Sequence, residues 1–283
     1  MKNRAFFSVN FAVLLFGLAG LFAKWIRLPA LTITFGRVLF SSIALGLFML
    51  FRKQNFRISA GKDILLLIGA GVILAIHWWS FLAAIQLSTV AVGTITFSAF
   101  PLFVTFLEPL AFHLRLRPRN ILTALVILIG VFITIPEFSL ANSTFTGILV
   151  GLLSALTYAV LTVINRFFAG KYSSTQTAFY EQATAAVILL PLVISSGGFH
   201  PSGKDLALLL FLGIITTALA HSLFISGLKV LPAQLAGICS SMETVYGILF
   251  ALLFLGEVPS AREIIGALII IGAVIFAQTE RKP

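Results

Sequence analysis

Ten apolar stretches follow one another along this chain, at roughly 5–23, 31–51, 64–85, 90–113, 121–135, 145–167, 176–195, 206–226, 233–255 and 263–278. A helix needs about 20 apolar residues to cross a bilayer, and eight of the ten come close to that length while the fifth and tenth are shorter. The gaps are short and carry turn formers such as Pro29, Gly61, Pro118, Asn142, Gly197-Gly198 and Pro259. Only 10% of the 283 residues are charged, against about 25% in a soluble domain. The pattern therefore predicts an all-α integral membrane protein of ten transmembrane helices, with no room for a soluble catalytic domain. The N-terminal Met-Lys-Asn-Arg and the apolar run after it have no small-residue cleavage site before Lys24, so the run is read as helix 1.

A net charge of +10 is compatible with nucleic-acid binding, but the basic residues sit in the gaps between apolar stretches, where they act as topology signals. With the N-terminus inside and ten crossings, fourteen Lys and Arg fall on the cytoplasmic side, and Lys24, Arg27, Lys204 and Arg262 fall outside. Arg37 lies within helix 2. This asymmetry predicts a multi-pass protein of the bacterial inner membrane with both termini in the cytoplasm, facing the lipid bilayer and no nucleic acid. Cys239, the single cysteine, excludes an intrachain disulfide.

The two halves align at a constant shift. The stretch AAIQLSTVAVGTITFSAFPLFVTFLEPLA, ending at Ala111, lies over SGLKVLPAQLAGICSSMETVYGILFALLF, which starts at Ser226; Phe81 falls on Phe224 and Ala84 on Gly227. An odd number of helices per repeat forces the halves into opposite membrane orientations. The expectation is two inverted five-helix repeats, 1–138 and 139–283, with a substrate site near the midplane between them.

TFGRVLF in helix 2, AIQLSTVAVGTITFSAFPLF entering helix 4, METVYGILFALLFLGE ending at Glu257, and GALIIIGAVI in helix 10 together resemble the drug/metabolite transporter superfamily, in its EamA-like ten-helix branch. The resemblance covers nearly the whole chain. It implies export or exchange of amino acids or similar small metabolites by alternating access, without ATP and without a cofactor. The chain departs from the pattern twice. The family often has Glu-Pro in helix 9 where this chain has Glu243-Thr244, and Leu-Gly-Glu after helix 4 where this chain has His113-Leu114-Arg115.

Ionisable groups inside a bilayer are costly and need a partner, a wetted cavity or neutrality. Thr34, Arg37 and Ser41 share a face of helix 2, and Thr177, Glu181 and Thr184 share one of helix 7. Arg37 and Glu181 align across the repeat, which predicts a substrate-facing charge pair; hydration at the helix ends is the alternative. Thr94, Ser98, Pro101, Thr105 and Glu108 form a polar stripe on helix 4, which either lines a cavity or packs helices, with Glu108 the more structural. Pro101 lacks the donor that would meet the carbonyl of Phe97. Helix 9 carries Ser240, Glu243 and Gly247 on one face with Tyr246 beside them. Glu243 has no Lys or Arg within a turn, so it is a candidate to carry a coupling proton; a neutral glutamate bonded to a neighbouring helix is the alternative.

His77 and Trp78 in helix 3, His221 in the aligned part of helix 8, and Tyr158 in helix 6 are candidate cavity walls, and packing is the alternative for each, preferred for Trp79. Two other classes stay open at this point: an intramembrane enzyme using His77, His221 and Glu243, and a non-transporting membrane receptor. No Walker loop or G-x-S-x-G elbow occurs. The spacing of the two histidines and Glu243 is not that of a metal site.

Overall fold

The computed structural model describes residues 2–116 and 118–278. Arg117, Arg281 and Lys282, three of the cytoplasmic charges counted above, lie outside the described residues. Backbone polar groups have no water to bond in lipid, so a chain this apolar must satisfy them within each segment. All the regular structure among the described residues is accordingly helical. In chain order the helices are α1 (Lys2–Trp25), α2 (Ala30–Phe51), α3 (Gly61–Leu87), α4 (Val90–Phe97), α5 (Phe100–Phe112), α6 (Pro118–Thr134) and α7 (Ser143–Phe168). They continue as α8 (Ser174–Ser195), α9 (Gly203–Gly213), a π-helical turn (Ile214–Leu219), α10 (Ala220–Leu228), α11 (Ala233–Ser240), α12 (Met242–Leu255) and α13 (Ala261–Gln278). Among the described residues, eight helices or helix runs are long and apolar enough to cross a membrane. Three of them are composite: α4 with α5, α9 through α10, and α11 with α12.

Starts are fixed by side chains that accept from the first free amides. Thr89 caps Val92 at 3.1 Å, Asn142 caps Thr144 at 2.9 Å, and Ser173 caps Gln176 at 3.1 Å. Large apolar side chains stand exposed around the bundle, including Phe7, Leu65, Leu110, Val187 and Leu253. A protein that is apolar outside as well as inside is built for lipid. Trp79 also points outward, away from the core.

The bundle has two ends, each tied by hydrogen bonds between helix termini. At one, the Lys24 ammonium donates to the Ser88 carbonyl at 2.7 Å and the Ala30 amide donates to Gln86 at 2.9 Å. At the other, the Tyr172 hydroxyl donates to Asp63 at 2.7 Å and the Tyr180 hydroxyl to the Phe56 carbonyl at 2.6 Å.

Two helices are not the continuous rods that the polar-stripe reading of helix 4 and the single run of helix 9 predict. α4 gives way to α5 at Ser98–Ala99, and α11 gives way to α12 at Ser241, the residue that the alignment of the two halves places over Ser98. The first break is one tightened turn. The Ser98 amide donates to the carbonyls of both Thr94 and Ile95, and that of Ala99 to Thr96. Pro101, which has no amide hydrogen, stands at the start of the second segment. The broken helices cross each other: Thr244 Oγ1 donates to the Thr94 carbonyl at 2.9 Å and hydrogen-bonds Ser98 Oγ, while Gly247 lets Thr94 pack where a Cβ would come within 2.9 Å of it. Close crossings through small residues are how helices associate without a hydrophobic driving force.

The segments are also anchored reciprocally. The Glu257 carboxylate, just past α12, accepts from the Val90 amide at the start of α4, at 3.0 Å. The Glu108 carboxylate, in α5, accepts from the Ala233 amide at the start of α11, at 3.1 Å, and pairs with Arg166 of α7. Glu108 therefore does for α11 what Glu257 of the Leu-Gly-Glu stretch does for α4. His113 aligns with Gly256 across the two halves, and both hold a left-handed backbone as helix C-caps, with φ of 52° and 68°.

Candidate functional site

Five helices and the end of a sixth segment, α4, meet around a narrow cavity. Its polar groups are Arg37 on α2, His77 on α3, Tyr158 on α7 and Glu243 on the first turn of α12. Its apolar wall is Phe16 and Ala19 on α1, Trp78 and Phe81 on α3, and Phe97 at the end of α4.

Arg37 is only 1% exposed, yet it is held from two sides. Its Nε donates to Thr217 Oγ1 at 3.1 Å, and its guanidinium carbon lies 3.6 Å from the centre of the Trp78 ring. Stacking on an aromatic face is a favourable setting for a desolvated guanidinium. The π-helical turn explains why Thr217 is there: its hydroxyl donates to the Leu212 carbonyl five residues back, at 2.7 Å, which leaves its oxygen turned to α2. The remaining guanidinium nitrogens make no hydrogen bond among the described residues. Nor does the Glu243 carboxylate. A cation and a carboxylate thus open on one cavity, each short of partners, a combination that buried charges avoid unless something else supplies them.

His77 is oriented by α7. Its Nδ1 lies 3.0 Å from the Ser154 carbonyl and 2.9 Å from the Ser154 hydroxyl, and that hydroxyl also donates to the His77 carbonyl at 3.2 Å. The imidazole stacks on Tyr158 at 4.6 Å between centres, and Phe97 and Phe100 close on the same tyrosine at 5.4 and 5.1 Å. The Tyr158 hydroxyl, wholly enclosed, has no hydrogen-bond partner among the described residues.

Of the ten side chains singled out in the sequence, Arg37, His77, Trp78, Tyr158 and Glu243 line this cavity. The aligned pair Arg37 and Glu181 is not formed. Glu181 instead meets His221, with Nε2 and Oε2 2.7 Å apart and both side chains fully enclosed. The reason is local: α10 presents His221 directly to α8, whereas Arg37 is turned away toward Trp78 and the π-helical turn. His221 stands behind the cavity wall and meets the Trp78 ring edge-on at 5.8 Å. Ser98 binds Thr94 and Thr244, and Ser240 donates to the Ala236 carbonyl of its own helix at 3.1 Å. Tyr246 packs α12 on α1, against Gly17, and stacks on Phe250. Phe16, Ala19, Phe81 and Phe97 were not singled out, because an apolar residue in an apolar helix carries no signal of which way it faces.

Residues 4–135 and 145–279 match the EamA-like transporter family, one match in each half of the chain. The chain belongs to the EamA-like transporter family. Membership places it among the membrane transporters of the drug/metabolite superfamily, and not among enzymes. A protein of Archaeoglobus fulgidus named as an uncharacterized transporter is 27% identical over 96% of each chain. An S-adenosylmethionine uptake transporter of Rickettsia felis is 27% identical over 88% of this chain and 83% of its own. A crystal structure with 21% sequence identity superposes with a TM-score of 0.75 over 98% of this chain and 97% of that one, so the fold is shared.

Proposed function

We propose that this protein carries amino acids or amino-acid-like metabolites across the bacterial inner membrane by alternating access. The observation that carries this reading is the cavity lined by both Arg37, whose guanidinium is hydrogen-bonded only through Nε, and Glu243, whose carboxylate makes no hydrogen bond among the described residues. An α-carboxylate suits the first as a charge-assisted, two-pronged hydrogen bond, and an α-ammonium suits the second. The aromatic walls take the remainder of the substrate: Trp78 and Phe81 on one side, Phe16 and Phe97 on the other. S-adenosylmethionine, the solute named for the Rickettsia felis relative, bears the same two groups and adds a sulfonium and a flat base. Uptake, as named for that relative, and the export that the family resemblance implies are opposite directions of one reversible cycle. Gradients set the direction, with protons as the candidate coupling ion.

Alternating access suits two inverted five-helix repeats, 1–138 and 139–283, with ten crossings once α6 and α13 are counted. Element starts support that plan. α4 begins at Val90 and α11 at Ala233, α2 at Ala30 and α8 at Ser174, the same offset in both pairs to within one position. So does the packing. α3 lies on α7 as α10 lies on α1, α5 on α7 as α12 on α1, and α4 on α12 as α11 on α5. The end rich in Arg52, Arg57, Lys62 and Lys171 is assigned to the cytoplasm.

The test is uptake and counterflow in proteoliposomes with a panel of labelled amino acids and S-adenosylmethionine, beside R37A and E243Q. Movement of at least one panel member, lost in R37A, is the expected result; no flux of any in either direction sinks the reading. Thiol labelling at position 140 in a C239S background should report an outside location, and a cytoplasmic one breaks the topology.

A further inference from the structure

Behind Trp78, away from the cavity, lies a second polar cluster at the depth of the apolar core. Its centre is the Glu181–His221 pair. Neither side chain has any exposure, and the pair uses only one atom of each. Glu181 Oε1, His221 Nδ1, Asn165 Oδ1 and both amide atoms of Gln182 have no partner within hydrogen-bond distance among the described residues, although the Asn165 side chain stands close enough to act on the Glu181 carboxylate.

An ion pair that exists only to hold helices together is poorly served by this arrangement. A buried polar atom left without a partner keeps the full cost of losing water, and half-satisfied networks are worse than none. A cluster with spare acceptors and an imidazole in contact with a carboxylate is equipped to exchange a proton.

The surroundings say what controls that proton. Asn165 of α7 stands beside the Glu181 carboxylate, and Arg37 of α2, His77 of α3, Tyr158 of α7 and, across the cavity, Glu243 of α12 are the polar and ionisable groups of the next layer. Cys239 of α11, which packs on α10, is turned to Asn10 of α1 instead. Arg37 is the permanent cation of this group, and it is joined to His221 through one ring: guanidinium on the face of Trp78 at 3.6 Å, imidazole at its edge at 5.8 Å. The backbone that carries His221 is also the backbone that holds Arg37, because the π-helical turn with Thr217 runs directly into Ala220. Single π turns inside helices recur at functional positions.

We infer that Glu181 and His221 form an occluded proton-binding site, distinct from Glu243, that loads when an anionic group of the substrate engages Arg37. On loading, one proton forms an O–H or N–H bond within the pair, whose net charge goes from −1 to 0. While Arg37 is unengaged, its charge compensates a deprotonated pair. When a substrate carboxylate neutralises Arg37, a bare negative pair in an apolar core becomes costly, and proton uptake follows. Proton and substrate anion are then taken up together. The binding site itself does not depend on the transport reading; only the loading order rests on it.

The test needs no substrate. In W25F/W79F, Trp78 is the sole tryptophan, and its emission is titrated in nanodiscs from about pH 4 to about pH 10, a window that spans carboxylate and imidazole ionisation. The expected result is a transition that is lost in E181Q and in H221N, kept in E243Q, and unmoved when sodium replaces choline. Survival of the transition in both pair variants, its loss in E243Q alone, its displacement by sodium, or no transition at all overturns the proposal. Should E181Q or H221N not fold, pH-difference infrared spectra of E243Q decide: a titrating buried carboxyl band must remain, and its absence is equally fatal. A failed transport panel leaves these results standing, and their failure leaves the panel standing.

Discussion

His113→Gly should stabilise the protein. His113 ends α5 in the left-handed region, at φ 52° and ψ 39°, and its side chain is exposed, so deleting it removes little packing. A residue with a Cβ pays about 1–2 kcal/mol in that region, and glycine pays nothing. The freer unfolded chain takes back about 0.4–1 kcal/mol. The net gain is therefore between zero and about 1.6 kcal/mol, or a rise of up to a few degrees in Tm. The cap geometry gives no reason for loss, since the amides of His113 and Leu114 both donate to the Pro109 carbonyl and glycine keeps both bonds. Gly256→His, at the aligned cap of the second half, should lower Tm by a similar amount. Scanning fluorimetry of both variants in detergent measures this. If H113G melts at or below the parent while G256H is also unchanged, left-handed strain at these two caps is not what separates histidine from glycine.

Other perturbations have equally definite outcomes. Gly71→Ala puts a Cβ 2.5 Å from Thr184 Cβ and should cost about 1–3 kcal/mol in thermal unfolding, whereas Gly69→Ala, with nothing within 4 Å, should be neutral or better. Glu108→Ala strips the cap from Ala233 and a charged partner from Arg166, and should destabilise by about 3 kcal/mol; Glu257→Ala, at a wetter site, should cost about 1 kcal/mol, both read from thermal melts in detergent. Arg37→Lys loses the Thr217 bond and the flat contact with Trp78, so uptake of any transported panel member should fall about tenfold while the protein still folds.

Most of the fold could be read from the chain because lipid imposes one rule everywhere: an apolar run of sufficient length is a helix. The alignment of the two halves was visible for the same reason, as Phe81 over Phe224 and Ala84 over Gly227 needed only side-chain character. What the apolar runs hid was interruption. The breaks at Ser98 and Ser241 and the π-helical turn before Ala220 fall within stretches of unbroken hydropathy, since a tightened turn consumes the same residues as a regular one. At the cavity, ionisable residues announced themselves by cost, which is how Arg37, His77 and Glu243 were found. Pairing did not. Glu181 aligned with Arg37, but which partner a charge meets depends on rotation about the helix axis, and that was set by His221 and Thr217 from an element far along the chain.

The two breaks divide unequal arms. α4 and α11 have eight residues each, about 12 Å of helix, whereas α5 and α12 run to 13 and 14 residues, about 20 Å. The short arms start from opposite ends of the bundle, and each is fastened at its outer tip by carboxylates: Glu257 and Glu263 hold Val90 and Thr89 of one, and Glu108 holds Ala233 of the other. A short lever pivoting at mid-depth can swing its tip by several ångströms while the long arm bearing Glu243 stays in place. Motion at one face therefore need not disturb the other, and the two fastenings differ in kind: one carboxylate, Glu108, holds an amide and a partly buried arginine at the tip of α11, whereas the tip of α4 is shared between two.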